Sequence, residues 1–434
     1  MPELKKVLRM GTLVSASVGI ALASSDFPAL VKSASQVGGW AILFVIIIAG
    51  ILTGFVSLAF AELSGMYPTA AGVRVYTKKA FGDSVSLTIT IFYVFFSIII
   101  ASAETYVFSA VLHYLDPNLS AKLWVLIFLI AAILMNIRGI EIAGDVENVL
   151  VVIKLAGIIG LSLYVIFLSS KFHISNVPFA PKGFDGFFTA VATAIFIYTG
   201  FEWTTPLAEE VASGQSTLPY SLPISVAVIT ITFALFSYAI IGVNSLSELT
   251  HTPIPHLIFG KTITGKVGLY SMVVVSFLAT LSTFNAGVMG NSRLIYALAR
   301  EGSFPKFMSK LHPKYFTPWI ALLIVFSIIA VFSITIAMNP KAFLVPILVA
   351  ASIETLMYSI ISFSVIALRY KEKDTARIFK IKGGILIPLF TGIVFLLLTL
   401  GILVSSSKYV AILFSTGFVL SYLYAKYVVP RLEH

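Results

Sequence analysis

The sequence predicts an all-α polytopic membrane protein of twelve transmembrane helices. Three observations support this: apolar stretches recur along nearly the whole chain, charge is scarce, and the basic residues fall between the stretches. Of 434 residues, 58% are hydrophobic and 11% charged, with a mean hydropathy of +1.00; soluble globular chains carry roughly 25% charged residues. An apolar helix of about 20 residues crosses the hydrocarbon core, so twelve spans with short connections leave no large extramembrane domain. The net charge of +10 does not point to nucleic acid, because the basic residues mark connections rather than one amphipathic face. With no cysteine, disulfides and thiolate sites are excluded. The first apolar segment lacks a small-residue cleavage pattern and is followed at once by further spans, unlike a removable signal peptide.

Taken in order, the spans are 12–31, 39–62, 85–112, 121–137, 148–169, 187–207, 221–246, 268–296, 318–338, 343–368, 384–405 and 408–428. Span 1 contains the weakly helical run Ala23-Ser24-Ser25-Asp26 followed by Pro28. Spans 2 and 3 flank a connection bearing Arg74, Lys78 and Lys79, span 4 ends at Arg138, and span 5 carries Lys154 between apolar runs. Span 6 breaks at Tyr198-Thr199-Gly200 and is followed directly by Glu202. Span 8 is rich in hydroxyls, span 10 carries Glu354, and spans 11 and 12 have clean apolar interiors suited to a scaffold or a dimer contact. An even count puts both termini on one side. With that side inside, twenty Lys and Arg fall in cytoplasmic connections and eight outside, which predicts cytoplasmic termini.

The two interrupted spans are the first members of two five-span sets, residues 1–170 and 171–380, leaving 381–434 as a peripheral pair. An odd number of spans per set turns the second set upside down, the arrangement of a 5+5 inverted repeat that suits alternating access. The outer loop 247–266 carries Leu257-Ile258-Phe259 among Pro, Thr and Gly. It is suited either to lie over an external mouth or to serve as an ordinary connector.

A broken backbone or an unpaired charge costs kilocalories in lipid unless protein or water surrounds it, so the interruptions read as a binding site inside the bundle. Unwinding frees N–H groups that hold a carboxylate and carbonyls that hold an amine or a cation. Ala23, Ser24, Ser25, Thr199 and Gly200 are therefore candidate substrate contacts; the alternative is a Ser-rich kink whose hydroxyls bond one turn back. Phe196, one turn before Gly200, is placed to act as a gate, although most of the 35 Phe belong to the core or face lipid. A lysine as deep as Lys154 must pair, snorkel or release its proton, which suits coupling to protons or replacement of a sodium ion; a static pair with a carboxylate is the alternative. Glu202 is a second coupling candidate. Glu104, Ser282, Thr283, Asn285 and Glu354 supply further oxygens around the site, whereas Glu62 and the Glu209-Glu210 pair read as surface or gate residues. The six histidines lie in loops or at the end of the chain without metal-ligand spacing, and glycine-rich nucleotide fingerprints are absent, so neither an enzyme, a metal nor a cofactor is expected.

Four passages carry a resemblance: LVSASVGIALASSDFPAL, FAELSGMYPTAAGVRVYTKKAFGD, TGFEWTTPLAEEV and NSRLIYALAREGSFPKFMSKLHPKYFTPWIALL. Through them the chain resembles the amino acid–polyamine–organocation transporters, whose core is the fold of the sodium-coupled leucine transporter. The resemblance implies substrate contacts at both breaks and an aromatic gate at Phe196. It also makes Lys154 the equivalent of the lysine that stands where sodium-dependent members bind an ion, and it matches Glu202 to an acid often found after the glycine break. One departure is that the Gly-Ser-Gly type break of span 1 is replaced here by Ala23-Ser24-Ser25, followed by Asp26 where an apolar residue is usual; against the family pattern Asp26 is a candidate substrate contact that either selects a cationic group or occupies the amine pocket itself. The expected activity is proton-coupled import of an amino acid or amine across the plasma membrane by a monomer or homodimer, with sodium disfavoured. An exchanger is the near rival; a channel or a non-transporting receptor is the rival of another class.

Overall fold

The computed structural model describes residues 8–38, 40–69, 71–138, 143–173, 179–212 and 216–432. Its helices run α1 (Met10–Ala21), α2 (Asp26–Val37), α3 (Ala41–Met66), α4 (Gly72–Phe81), α5 (Asp83–Leu115), α6 (Ala121–Arg138), α7 (Ala143–Leu168) and α8 (Gly183–Ala194). They continue with α9 (Thr217–Val243), α10 (Leu246–Leu249), α11 (Pro255–Thr264), α12 (Lys266–Ser282), α13 (Val288–Glu301) and α14 (Trp319–Met338). The last are α15 (Leu344–Lys371), α16 (Leu386–Ser405), α17 (Lys408–Leu423) and α18 (Val429–Leu432). The all-α membrane architecture is as predicted. Among the described residues ten segments are long and apolar enough to cross a membrane, and the bent pair α1–α2 makes an eleventh. The stretch predicted as span 8 is α12, only 17 residues long, which passes through a π turn at Thr283–Gly287 into α13. A count of twelve therefore rests on taking that interrupted segment as one span.

Both predicted interruptions are present. Helix α1 stops at Ala21, and α2 restarts at Asp26 after a 62° bend. After α8 the chain tightens into a 3-10 segment, Ile195–Tyr198, breaks at Thr199 and Gly200, and resumes as a second 3-10 segment, Phe201–Glu210. The two broken helices pack along each other, α2 against α8 and α1 against Phe201–Glu210. The Ser17 hydroxyl donates to the Phe201 carbonyl at 2.9 Å and lies 3.0 Å from the Thr204 hydroxyl. Each hydroxyl satisfies a backbone or side-chain group that lipid would leave unpaired.

One end of the bundle is tied together by charge. Arg74, buried in α4, reaches Asp83 at the start of α5 at 2.8 Å and Glu301 at the end of α13 at 3.0 Å. Glu62 of α3 takes a bidentate grip from Arg369 of α15, at 2.8 and 2.5 Å, with Arg377 at 3.3 Å and the Ile381 N–H at 2.9 Å. These are residues assigned by hydropathy to a single membrane face, and they meet at a single end. Of the two sequence-based readings of Glu62, surface or gate, the surface one is corrected: the residue is wholly buried. The side chains of Glu209 and Glu210 lie outside the described residues. Removing one member of a buried ion pair costs about 3–5 kcal/mol, because its partners stay buried without it. Glu62→Ala is accordingly expected to lower the melting temperature of the detergent-solubilised protein by several degrees; an unchanged melting temperature would show that the arginines find other partners.

At the opposite end, the predicted outer loop is two short helices, α10 and α11, packed on α2. His256 stacks on Phe27 of α2 with ring centroids 4.3 Å apart, and Phe259 packs edge-on against Phe236 of α9 at 5.2 Å. Thus the loop packs on the second half of span 1 rather than merely connecting helix ends. Burial pushes the His256 imidazole down to about 3, so the packed form holds it neutral while a solvent-exposed histidine takes a proton near pH 6.5. The packed form loses stability relative to any displaced form as pH falls below about 6.5. We expect hydrogen exchange across Pro255–Thr264 to accelerate on acidification and His256→Phe to remove that response.

Helices α16 and α17 sit at the periphery, α16 on α15 and α8, α17 on α5 and α15. Their outer faces expose Val404, Tyr409, Ile412 and Leu420, as lipid-facing surfaces do.

Candidate functional site

The site is built where the two breaks touch. Gly200 has φ +106°, and a Cβ there would lie 2.4 Å from Ile20 Cγ2, so the glycine supplies both the turn and the close approach of span 6 to span 1. Leaving the helix frees backbone groups on each side, and the structure shows what each one meets.

In span 1 the Ala23 N–H donates to Asp26 Oδ2 at 2.7 Å. The next two N–H groups, of Ser24 and Ser25, donate to the two oxygens of Glu104 at 3.0 and 2.7 Å. Thr280 adds a third donor to Glu104 at 2.5 Å, and the Ser24 hydroxyl lies 2.7 Å from that of Ser276 and 3.0 Å from that of Thr280. The carbonyls freed by the same break face the other way. Lys154 Nζ donates to Gly19 O at 2.9 Å and Leu22 O at 3.0 Å, and the Thr283 hydroxyl reaches Ile20 O at 3.2 Å.

Lys154 gets there because α7 packs on α1 with one stripe inward. Glu147, Val151, Lys154, Ile158, Ser162 and Val165 are buried, while Val152 and Ile153 are 62% and 49% exposed. The ammonium is held by the Gly19 and Leu22 carbonyls, with Glu147, Asp26 and Glu104 as the surrounding acids. Ser282 donates a short hydrogen bond to Glu147. No group of three or more His, Cys, Asp or Glu able to hold a metal occurs among the described residues.

In span 6 the Gly200 N–H donates to Glu202 Oε2 at 3.1 Å. Glu202 also receives the Tyr93 hydroxyl at 2.9 Å and the Tyr358 hydroxyl at 3.3 Å. Glu354 is buried beside Glu202 and Tyr358. The Ser25 and Thr199 hydroxyls are buried and unpaired, one at each break. Phe196 is fully buried in the 3-10 turn before Thr199. A cavity of about 10 Å³ touches Glu202 from the Arg74 end, lined by Gly72, Tyr93, Trp203, Pro206 and Asn291. At the other end a cavity of about 560 Å³ opens between α2, α8, α15 and α16, with Lys32, Lys182 and Asp185 on its rim.

The two breaks and the charged residues singled out in the sequence thus converge on one place: Ala23, Ser24, Ser25, Asp26, Glu104, Lys154 and Thr283 at the first break; Thr199, Gly200, Glu202 and Glu354 at the second. Ser282 stands one step back, on Glu147. The Asn285 side chain lies outside the described residues. Sequence reasoning missed Tyr93, Glu147, Thr280 and Tyr358. Glu147 had a usable signal, since it precedes Lys154 by one heptad and so shares its face. The tyrosines had none, because only packing tells one aromatic ring in an apolar helix from another. Helix α5 serves both breaks: Tyr93 and Glu104, eleven residues and about 16 Å apart along one face, reach Glu202 and the Ser24–Ser25 amides respectively.

Comparison with known proteins places this architecture. The sequence matches the amino acid permease family over residues 7–429. The chain belongs to that family. Permeases are transporters, not enzymes, and this permease is a multi-pass membrane protein. It is 24% identical to the branched-chain amino acid permease BcaP of Bacillus subtilis, covering 92% of this chain and 89% of that one. It is 23% identical to the methylthioribose transporter of the same organism, over 90% and 87% of the two chains. The human cystine/glutamate transporter is 24% identical, over 77% of this permease and 68% of the relative.

Proposed function

We propose that this permease is a secondary active transporter that imports an amino acid or related amine across the plasma membrane by alternating access. Residues 1–170 and 171–380 would form the two inverted repeats, 381–434 a peripheral pair, and both termini would face the cytoplasm. The observation that supports this best is the adjacency of the two breaks, where Gly200 meets Ile20 and an unpaired buried hydroxyl, Ser25 or Thr199, lies at each break. Substrate docks there from outside and Phe196 closes over it. Spans 1, 2, 6 and 7 then tilt against 3, 4, 8 and 9, releasing the Arg74–Glu301 contact that ties α4 to α13. Coupling is to protons through Lys154 and Glu202. The lysine's contacts with the Gly19 and Leu22 carbonyls support its standing in for sodium, and a change in its charge biases the two-state equilibrium.

Uptake into proteoliposomes at an imposed pH gradient, with and without sodium, tests the reading. Saturable uptake driven by inward protons and indifferent to sodium is expected; strict dependence on sodium would overturn the coupling. The cystine/glutamate transporter relative, whose name pairs two substrates, favours one second reading, exchange. An exchanger needs substrate inside the vesicle, and a symporter does not.

A further inference from the structure

We infer that Glu104 is a built-in carboxylate occupying the amide cradle of span 1, and that the substrate is an organic amine without an α-carboxylate. The inference rests on the transport reading above and narrows its substrate. Two consecutive N–H groups at a helix break form an anion site. Here both are filled from within the protein, the Ser24 and Ser25 amides donating one to each oxygen of Glu104. The carboxyl group receives three donors, the third from Thr280, and is fully buried. A substrate carboxylate entering the cradle would have to expel it, leaving a buried charge stripped of its donors, which is among the costliest states a protein interior offers.

The second break repeats the pattern. Gly200 N–H is held by Glu202 and Thr199 N–H by the Phe196 carbonyl, so neither offers an amide to an incoming anion. What stands beside the breaks suits an ammonium: Glu354 is a buried acid next to Glu202 and Tyr358, and the unpaired Ser25 and Thr199 hydroxyls can accept as well as donate. Asp26, Glu104, Glu147, Glu202 and Glu354 are buried around the breaks with Lys154, and an ammonium group is favoured by each of these acids that is ionised, whereas a second carboxylate is opposed by it. Glu354 therefore receives the amine, with the hydroxyls of Ser25 and Thr199, and Glu104 acts as the specificity determinant that excludes amino acids.

Matched pairs test this in proteoliposomes of the full chain: cadaverine against lysine, putrescine against ornithine, phenethylamine against phenylalanine, isoamylamine against leucine. Saturable uptake of the amine in at least one pair is expected, with its amino acid at least about tenfold weaker. Uptake of amino acids in preference to their amines would overturn the inference and leave the transport reading standing. Failure of all eight compounds would overturn the transport reading itself. Glu104→Gln weakens the internal occupant and is expected to shift the preference at least about tenfold toward the amino acid. An unchanged preference in a folded variant counts against Glu104 as determinant, and the wild-type comparison stands even if the variant does not fold.

Discussion

Replacing Lys154 with alanine is expected to cut substrate uptake by at least about tenfold, equivalent to about 1.4 kcal/mol, and to abolish the pH dependence of what remains. The lysine's ammonium donates to the Gly19 and Leu22 carbonyls at 2.9 and 3.0 Å, with the Thr283 hydroxyl a more distant donor to Gly19. Alanine leaves both buried carbonyls short of a donor, at about 1–3 kcal/mol each, and removes the cation that faces Glu147, Asp26 and Glu104. The first break is then free to rearrange, which disturbs the conformational balance rather than the overall fold. Lys154→Arg separates charge from proton exchange, because a guanidinium keeps its proton at any working pH. That variant is expected to insert normally and transport without responding to pH. The measurement is initial uptake rate against pH in proteoliposomes, with elution as a single monodisperse species as the folding control. A wild-type pH profile in Lys154→Arg would remove the lysine from the coupling account.

The second large effect is expected at Gly200. Alanine there meets two separate obstacles: a backbone held at φ +106° and a Cβ placed 2.4 Å from Ile20 Cγ2. Strain of this kind costs on the order of 1–3 kcal/mol, and the steric conflict adds to it, since Ile20 is buried and cannot swing into solvent. Relieving either obstacle means moving span 6 away from span 1, so transport in Gly200→Ala should fall below detection while much of the helical content survives. The paired change Ile20→Ala with Gly200→Ala removes the clash but not the strain and is expected to recover only part of the activity. Full recovery would show that the left-handed backbone contributes nothing, and no recovery that the contact with Ile20 is irrelevant. Uptake together with circular dichroism distinguishes these outcomes.

The sequence by itself determined the membrane architecture, because apolar segments long enough to cross a bilayer and basic connections between them obey constraints set by the solvent, not by neighbouring residues. It also determined where two helices break, since Ala23-Ser24-Ser25-Asp26 and Tyr198-Thr199-Gly200 are poor helix formers in otherwise apolar runs, and that Lys154 had to pair, snorkel or release its proton. Only the tertiary structure decided what the breaks bind. A freed amide looks the same in the sequence whether it awaits a ligand or is already held, and the partner of Ser24 and Ser25 is Glu104, about eighty residues away on α5. Likewise Tyr93, Tyr358 and Glu147 join the site because α5, α15 and α7 turn those faces inward. Local pattern reports the cost a backbone must avoid; which distant side chain meets that cost depends on how helices rotate against one another, and this is set by packing over the whole bundle.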